Sequence, residues 1–450
     1  MKISLFFILN IIALIIIFSI LDVVFLIGLY PYFLFLFIIL IMASIIQEIF
    51  KNKNIIIISK ALIILAIIFL FYTAIQNWQI RYQDEQYLKK INKYSSELAL
   101  SQIDSFLSNK KISYNNTAEL LYQQETIIAD LFENIKNANN HIHISVYMLR
   151  DHSLGTELKE LLIEKAKQEI KVRVIYDAYG SLYLSRNYIE ELKNAGVRIK
   201  EFNSIINSFF EGRMNHRNHR KIFIIDGKIG YIGDLNIGDD YFNEKNSLML
   251  KIKGEGVHSL QEIFLADWYY LTEEKIHLDE YYPNHKYQEE NLPITVISSA
   301  YDRQNNHIYD KYLDLIREAK NSIYIITPYL SFDNHIYNAL KLSRKKGIEI
   351  NIIVSEKTEH KILSWKNASF YKKLLNAEIN IFNYQKNILH SKIVLIDKKL
   401  LSIGSANFNT RSFFLDYESN AIIHDEKISL DLMDIINIYL ENSKKLLWKN

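Results

Sequence analysis

Asn218-His219-Arg220-Lys221-Ile222-Phe223-Ile224-Ile225-Asp226 and Leu389-His390-Ser391-Lys392-Ile393-Val394-Leu395-Ile396-Asp397 are two versions of one pattern. In each, a His-x-Lys opens a short apolar run that ends on aspartate. Downstream, Gly233-Asp234-Leu235-Asn236 and Gly404-Ser405-Ala406-Asn407 stand at matching distances from their histidines. A lone His-x-Lys carries little information. Two copies with matched Asp, Gly and Asn mark an internal repeat. A chain that makes the same reactive cluster twice is placing two halves of one active site face to face.

Side chains at i and i+2 of a strand project alike. With strands expected from Lys221 to Ile225 and from Lys392 to Ile396, each histidine projects with its lysine, and the residue between them faces away. Asp226 and Asp397 close these strands at Asp-Gly and Asp-Lys turns and are counted with the reactive cluster. Gly233 and Gly404 allow close backbone approach, and Asn236 and Asn407 supply amide donors.

Such a set suits chemistry on a phosphodiester. The anion repels nucleophiles, so fixed positive charge and donors must stabilise the developing negative charge. Of His219 and His390, one would attack as nucleophile, splitting the displacement into two easier steps through a phosphohistidine. The other would protonate the departing alkoxide and then deprotonate the incoming alcohol. Lys221, Lys392, Asn236 and Asn407 would bind the phosphoryl oxygens. The lysines already provide charge, so neither metal nor cofactor is expected.

Working outward, the repeat extends beyond the motifs. Ile135-Lys136-Asn137-Ala138 leads into an apolar strand at 142–148, and Ile316-Arg317-Glu318-Ala319 leads into another at 323–327. A helical stretch with Lys165-Ala166-Lys167 precedes the strand Val172-Arg173-Val174-Ile175, and Ser343-Arg344-Lys345-Lys346-Gly347 precedes Ile350-Asn351-Ile352-Ile353-Val354. Strands alternating with helical patterns predict an α/β fold of two repeated units with mixed sheets packed on each other. Tyr281-Tyr282-Pro283-Asn284 and Leu292-Pro293 break the periodicity between them. The units are therefore expected at 119–285 and 286–450, after a polar helical connector at 78–118.

The chain of 450 residues has no cysteine, which excludes disulfides, thiolate zinc sites and a cysteine nucleophile. A net charge of only +2 argues against coating nucleic acid by bulk charge. Residues 3–46 contain a single charged side chain, Asp22. As one helix they would run about 65 Å against a hydrocarbon core of roughly 30 Å, so they fold back at Gly28-Leu29-Tyr30-Pro31. Residues 1–77 are thus expected to form a membrane anchor of two or three spans, near 4–27, 30–47 and 55–75. Lys51, Lys53 and Lys60 belong in the cytoplasm, which puts the residues after 80 outside if three segments cross. Arg81, Lys89, Lys90 and Lys93 pull the other way, and with two crossings the large domain is cytoplasmic.

Other features carry less. His141 and His143 share a strand face without a partner at ligand spacing, which favours packing over metal binding. His216 and Arg217 beside the first motif fit either contact with an anionic substrate or a solvated loop.

These residues resemble the phospholipase D superfamily, and in particular its bacterial cardiolipin synthase family. The likeness covers about residues 120–450. It rests on both His-x-Lys motifs with their Asn236-Ile237-Gly238-Asp239-Asp240-Tyr241 and Arg411-Ser412-Phe413 continuations. Tyr176-Asp177 with Gly180-Ser181, the Gln261, Phe264, Asp267-Trp268 helix, Thr327-Pro328-Tyr329 and Glu418-Ser419-Asn420 extend it. The resemblance implies phospholipase D-like α/β/α units packed as a pseudo-dimer behind transmembrane helices. It implies a multi-pass enzyme of the bacterial cytoplasmic membrane that acts on phosphatidylglycerol and not on nucleic acid. Two phosphatidylglycerol molecules would give cardiolipin and glycerol, with His219 as nucleophile and His390 as general acid and base. The competing readings are a phospholipase D that accepts water, a nuclease, and a silent membrane scaffold.

Glu418 follows His390 by 28 residues and matches a family position whose carboxylate orients a catalytic histidine; it is grouped with the substrate-binding residues. The corresponding position after His219 is Ser247, where cardiolipin synthases usually carry an acidic residue, and Gly233-Asp234 replaces the commoner Gly-Gly or Gly-Ser. One histidine then lacks its usual carboxylate, unless Asp234 or Glu244 substitutes.

Overall fold

The computed structural model describes residues 112–447, apart from 211–213, 239–244, 277–278, 285–290, 300–305 and 358–369. Residues 112–205 and 216–447 belong to one compact unit, and 206–215 fall outside it. Among the described residues no helix is long and apolar enough to cross a membrane. The expected spans at 4–27, 30–47 and 55–75, and all but the last residues of the 78–118 connector, lie outside the described residues.

The first half runs β1 (Asn116–Tyr122), α1 (Gln124–Lys136), β2 (His141–Val146), α2 (Ser153–Lys167), β3 (Lys171–Asp177), α3 (Arg186–Asn194) and β4 (Arg198–Phe202). It continues through β5 (Ile222–Ile225), β6 (Ile229–Gly233), β7 (Lys245–Asn246), β8 (Leu248–Gly254) and α4 (Gly256–Thr272). The second half runs β9 (Ile294–Ser299), α5 (His307–Glu318), β10 (Ser322–Thr327), α6 (Asn334–Lys345), β11 (Glu349–Ser355), β12 (Asn380–Tyr384), β13 (Ile388–Leu389) and β14 (Ile393–Ile396). It ends with β15 (Leu400–Gly404), α7 (Thr410–Phe414), β16 (Glu418–His424), α8 (Glu426–Glu441) and β17 (Ser443–Lys445).

The repeat read from the sequence is a repeat of topology. One sheet is ordered β1-β8-β6-β5-β2-β3-β4 and the other, read from its opposite edge, β9-β16-β15-β14-β10-β11-β12-β17. Both are mixed: β2, β3 and β4 run parallel, as do β10, β11 and β12, while β5 and β14 join antiparallel. The last residues of the expected helical connector instead enter β1, which pairs antiparallel with β8 from Asn116 to Tyr122.

Both faces of the motif strands are buried. Ile222 and Ile224 of β5, with Ile393 and Leu395 of β14, enter one core that also takes Phe264 and Trp268 of α4 and Leu432 and Tyr439 of α8. Phe223 and Ile225 point the other way, into a core with α1 and α2, and Val394 and Ile396 into one with α5 and α6. Alternation of period two thus gives each sheet an outer helical layer and a share in a common centre.

Strands β5 and β14 begin one residue after the lysines, later than the pattern predicts. The reason is that the preceding backbone bonds across to the other half. His219 N–H donates to Tyr417 O at 2.9 Å, and His390 N–H donates to Asn246 O at 3.3 Å. Tyr417 and Asn246 each lie 27 residues after the opposite histidine, so one exchange occurs twice.

Candidate active site

At both motifs the lysine folds back: Lys221 Nζ donates to His219 O at 2.6 Å, and Lys392 Nζ to His390 O at 2.5 Å. The intervening residues face away and fasten the halves. Arg220 makes two 2.8 Å bonds to the Asp267 carboxylate on α4, then reaches Ser298 Oγ at 2.6 Å and Ser299 O at 3.1 Å on β9. Ser391 Oγ reaches Asn246 O of the first half at 3.4 Å and pairs with Tyr439 OH of its own half at 2.8 Å.

His219 is held from the second half. Its Nδ1 lies 3.0 and 3.1 Å from the two Glu418 oxygens and 3.2 Å from Ser405 O. A carbonyl oxygen can only accept, so Nδ1 carries the proton and Nε2 of the neutral ring keeps its lone pair. Tyr147 packs edge-on at 4.9 Å between centroids. Burial, then the positive charge of Lys221, pulls His219 well below the ordinary histidine range. Glu418 is fully buried and pushed up to about 7 by that burial, against Lys221 and the Ser405 hydroxyl. Burial also lowers Lys221 to about 7, with Glu418 opposing. Lys392 acts electrostatically on His219, Lys221 and Asp234, so the two motifs share one pocket of charge.

His390 has a carboxylate from the first half: Asp234 Oδ2 is 3.9 Å from its Nδ1. Two residues beyond Asp234 is Asn236, and two beyond Ser405 is Asn407. Each amide therefore sits on the loop that flanks the opposite histidine. Both side chains are buried, and their Oδ1 atoms have no hydrogen-bond partner among the described residues. Gly233 and Gly404 are required where these loops leave the sheet, because a Cβ would come within 2.4 Å of Leu248 O and 2.2 Å of Ser419 O respectively.

Not every expected residue gathers here. Asp226 and Asp397 stand at the opposite ends of β5 and β14, about 16 Å along the chain from the lysines. Each is a left-handed turn residue, φ 55° and 53°. Asp226 accepts the N–H groups of Asn139, Asn140 and His141, and Asp397 those of Lys320, Asn321 and Ser322. Their geometry holds the turn entering β2 and β10, and places each at the end of its strand away from His219 or His390. Glu418, grouped with the substrate-binding residues and matched to a position that orients a catalytic histidine, has its carboxylate on His219 Nδ1. Glu244 lies outside the described residues.

Arg217 is buried rather than in a solvated loop, 3.7 Å from Asp177 and bonded to Asn203 O at 2.9 Å. Asp177 also accepts from Asn218 N–H at 2.9 Å, fixing the residue before the histidine. His141 and His143 are core residues, joined through Gln261 at 3.1 and 2.8 Å. Sequence reasoning missed Tyr147, Ser405 and Asp416; the last accepts two bonds from Arg411 at 2.9 and 3.1 Å and acts electrostatically on His219. Only the Gly404-Ser405 position in the repeat could have signalled one of them.

Two like sheets, each contributing a His-x-Lys and an Asn loop to one seam, define the phospholipase D-like class of protein. A family model described as cardiolipin synthase, PLD-like domain, matches residues 131–268 and 312–439. The chain is 35% identical over 370 residues to cardiolipin synthase 2 of Bacillus anthracis, across 80% of this chain and 72% of that one. It is 34% identical over 373 residues to the cardiolipin synthase of Halalkalibacterium halodurans, across 81% and 74%. Among solved structures, phosphatidylserine synthase of Haemophilus influenzae shares the fold, with TM-score 0.60 at 16% identity over 79% of this chain and 92% of that one. The chain belongs to the cardiolipin synthase family of PLD-like proteins.

Proposed function

We propose that this chain is a membrane-bound phosphatidyltransferase that makes cardiolipin and glycerol from two phosphatidylglycerol molecules. Its relatives carry that name, and the observation that carries the chemistry is the fixed tautomer of His219. With Nδ1–H held by Glu418 and Ser405 O, Nε2 presents a lone pair. In the first step Nε2 attacks phosphorus, the bond from phosphorus to the headgroup oxygen breaks, and His390 gives its proton to the departing glycerol. In the second step His390 takes the proton from a headgroup hydroxyl of another phosphatidylglycerol. That oxygen attacks phosphorus, the P–N bond breaks, and His219 is regenerated. Lys221, Lys392, Asn236 and Asn407 bind the phosphoryl oxygens through both displacements. Asp226 and Asp397 support these strands from their far ends.

The two repeats, 119–285 and 286–450, act as a pseudo-dimer about the seam; the reciprocal His219–Tyr417 and His390–Asn246 backbone bonds support this reading. The apolar segments within 1–77 anchor the enzyme to the bacterial cytoplasmic membrane, where its substrates reside. Membranes carrying the full chain, given phosphatidylglycerol labelled in the headgroup, are expected to yield cardiolipin and free labelled glycerol. Phosphatidic acid as the only product would instead identify a hydrolase. Cleavage of DNA without lipid turnover would identify a nuclease.

A further inference from the structure

Counted from its histidine, each repeat carries a hydroxyl and a carboxylate at the fifteenth and twenty-eighth positions, but in opposite order. The second has Ser405 then Glu418; the first has Asp234 then Ser247. The two positions are neighbours across the sheet in both halves. Ser405 N–H bonds Ser419 O at 2.9 Å, and Asp234 N–H bonds Leu248 O at 3.4 Å. Facing side chains on paired strands lie about 5 Å apart, so a carboxylate moved from one strand to the other still reaches the same region.

In each pair the hydroxyl favours the charged carboxylate: Ser405 Oγ donates to Glu418 Oε2 at 2.5 Å, and Ser247 opposes the upward push of burial on Asp234, which takes Leu248 N–H on Oδ1 at 3.1 Å. Asp234 is as buried as Glu418. Its Oδ2 has no hydrogen-bond partner among the described residues and stands 3.9 Å from His390 Nδ1. A buried carboxylate oxygen without a hydrogen bond is costly, and its retention beside an imidazole calls for a purpose. We infer that Asp234 is the positioning residue of His390, supported by Ser247, and that the first repeat has exchanged the places of acid and hydroxyl while keeping their joint action. The carboxylate stands 3.9 Å from its imidazole here against 3.0 Å at His219.

The inference rests on the phosphatidyl-transfer reading, and wild-type turnover tests that reading separately. The experiment uses the full chain in membranes with labelled phosphatidylglycerol and three variants. Asp234→Asn keeps the shape, and is expected to lower kcat at least about 100-fold with little change in KM, the scale of lost general acid–base catalysis. The carboxylate favours the imidazolium, so its removal shifts the pH–rate limb belonging to His390 toward lower pH. Asp234→Ser is expected to show the same loss. Asp234→Ser/Ser247→Glu, which restores the order of the second repeat, is expected to recover most of the rate. An undiminished kcat in Asp234→Asn, or a slow Asp234→Asn with the wild-type pH profile, overturns the assignment.

Discussion

Glu418, in the second repeat, holds Nδ1 of His219, in the first, at 3.0 Å. The carboxylate that follows His390 by 28 residues thus serves the histidine of the opposite repeat. This crossing makes neither half sufficient by itself, because the tautomer that frees Nε2 of His219 is set by Glu418 and Ser405 from the other half.

Replacing Glu418 by Gln should therefore act on kcat. The amide can present a donor to Nδ1 and favour the wrong tautomer, and loss of an orienting carboxylate in a comparable arrangement costs up to about 10⁴-fold. Lipid-product assays should show a fall of at least about 100-fold with KM little altered. A large rise in KM at constant kcat would place Glu418 among the substrate contacts instead.

How far the sequence carried this far is clearest at single residues. His219, Lys221, Gly233 and their partners in the second repeat were legible because identical spacing twice over is rare. Their apolar strands were legible from composition. The direction of the Glu418 contact was not, since spacing along the chain says nothing of which half a strand end faces. Asp226 and Asp397 kept step with the motif for another reason. A tight turn with positive φ must follow a strand of fixed length, so a turn residue recurs as regularly as a reactive one.

The division of labour between the histidines predicts a trapped intermediate. In His390→Ala, His219 can still attack, slowly, but no imidazole activates the acceptor alcohol. Incubation with phosphatidylglycerol should leave an adduct on His219, detectable by mass and labile to acid as a P–N bond is. Turnover should fall roughly 10²–10⁴-fold. In His219→Ala both adduct and turnover should vanish; an adduct on His390 in that variant would exchange the two roles.

The buried Arg220–Asp267 pair, which lies within the first half and holds the guanidinium that reaches Ser298 and Ser299 of the second, should be a stability element. Arg220 and Asp267 are 3% and 1% exposed, and removing one partner of a buried pair leaves an uncompensated charge costing about 3–5 kcal/mol. Asp267→Ala should lower the melting temperature of the solubilised protein well below that of Asp267→Asn, which keeps an acceptor for Arg220. Equal, wild-type melting in both would mean the pair contributes no net stability.

The buried histidine His141 predicts how stability responds to acid. Its ring is bracketed by Asn140 Oδ1 at 2.9 Å and Gln261 Oε1 at 3.1 Å, and packs on Tyr281 and His143. Burial lowers it from 6.5 to about 4; Gln261 and Asp226 oppose this, and Arg173 and Lys171 add to it. Between those values the unfolded chain binds a proton at this position that the folded chain refuses. Stability from His141 is thus complete above pH 6.5 and drains away as pH falls toward 4. His141→Gln removes the titration while keeping a polar side chain beside Gln261. The excess melting temperature of wild type over this variant should therefore shrink steadily from pH 7 to pH 4. A gap that stays constant across that range would mean that His141 titrates alike in the folded and unfolded chain.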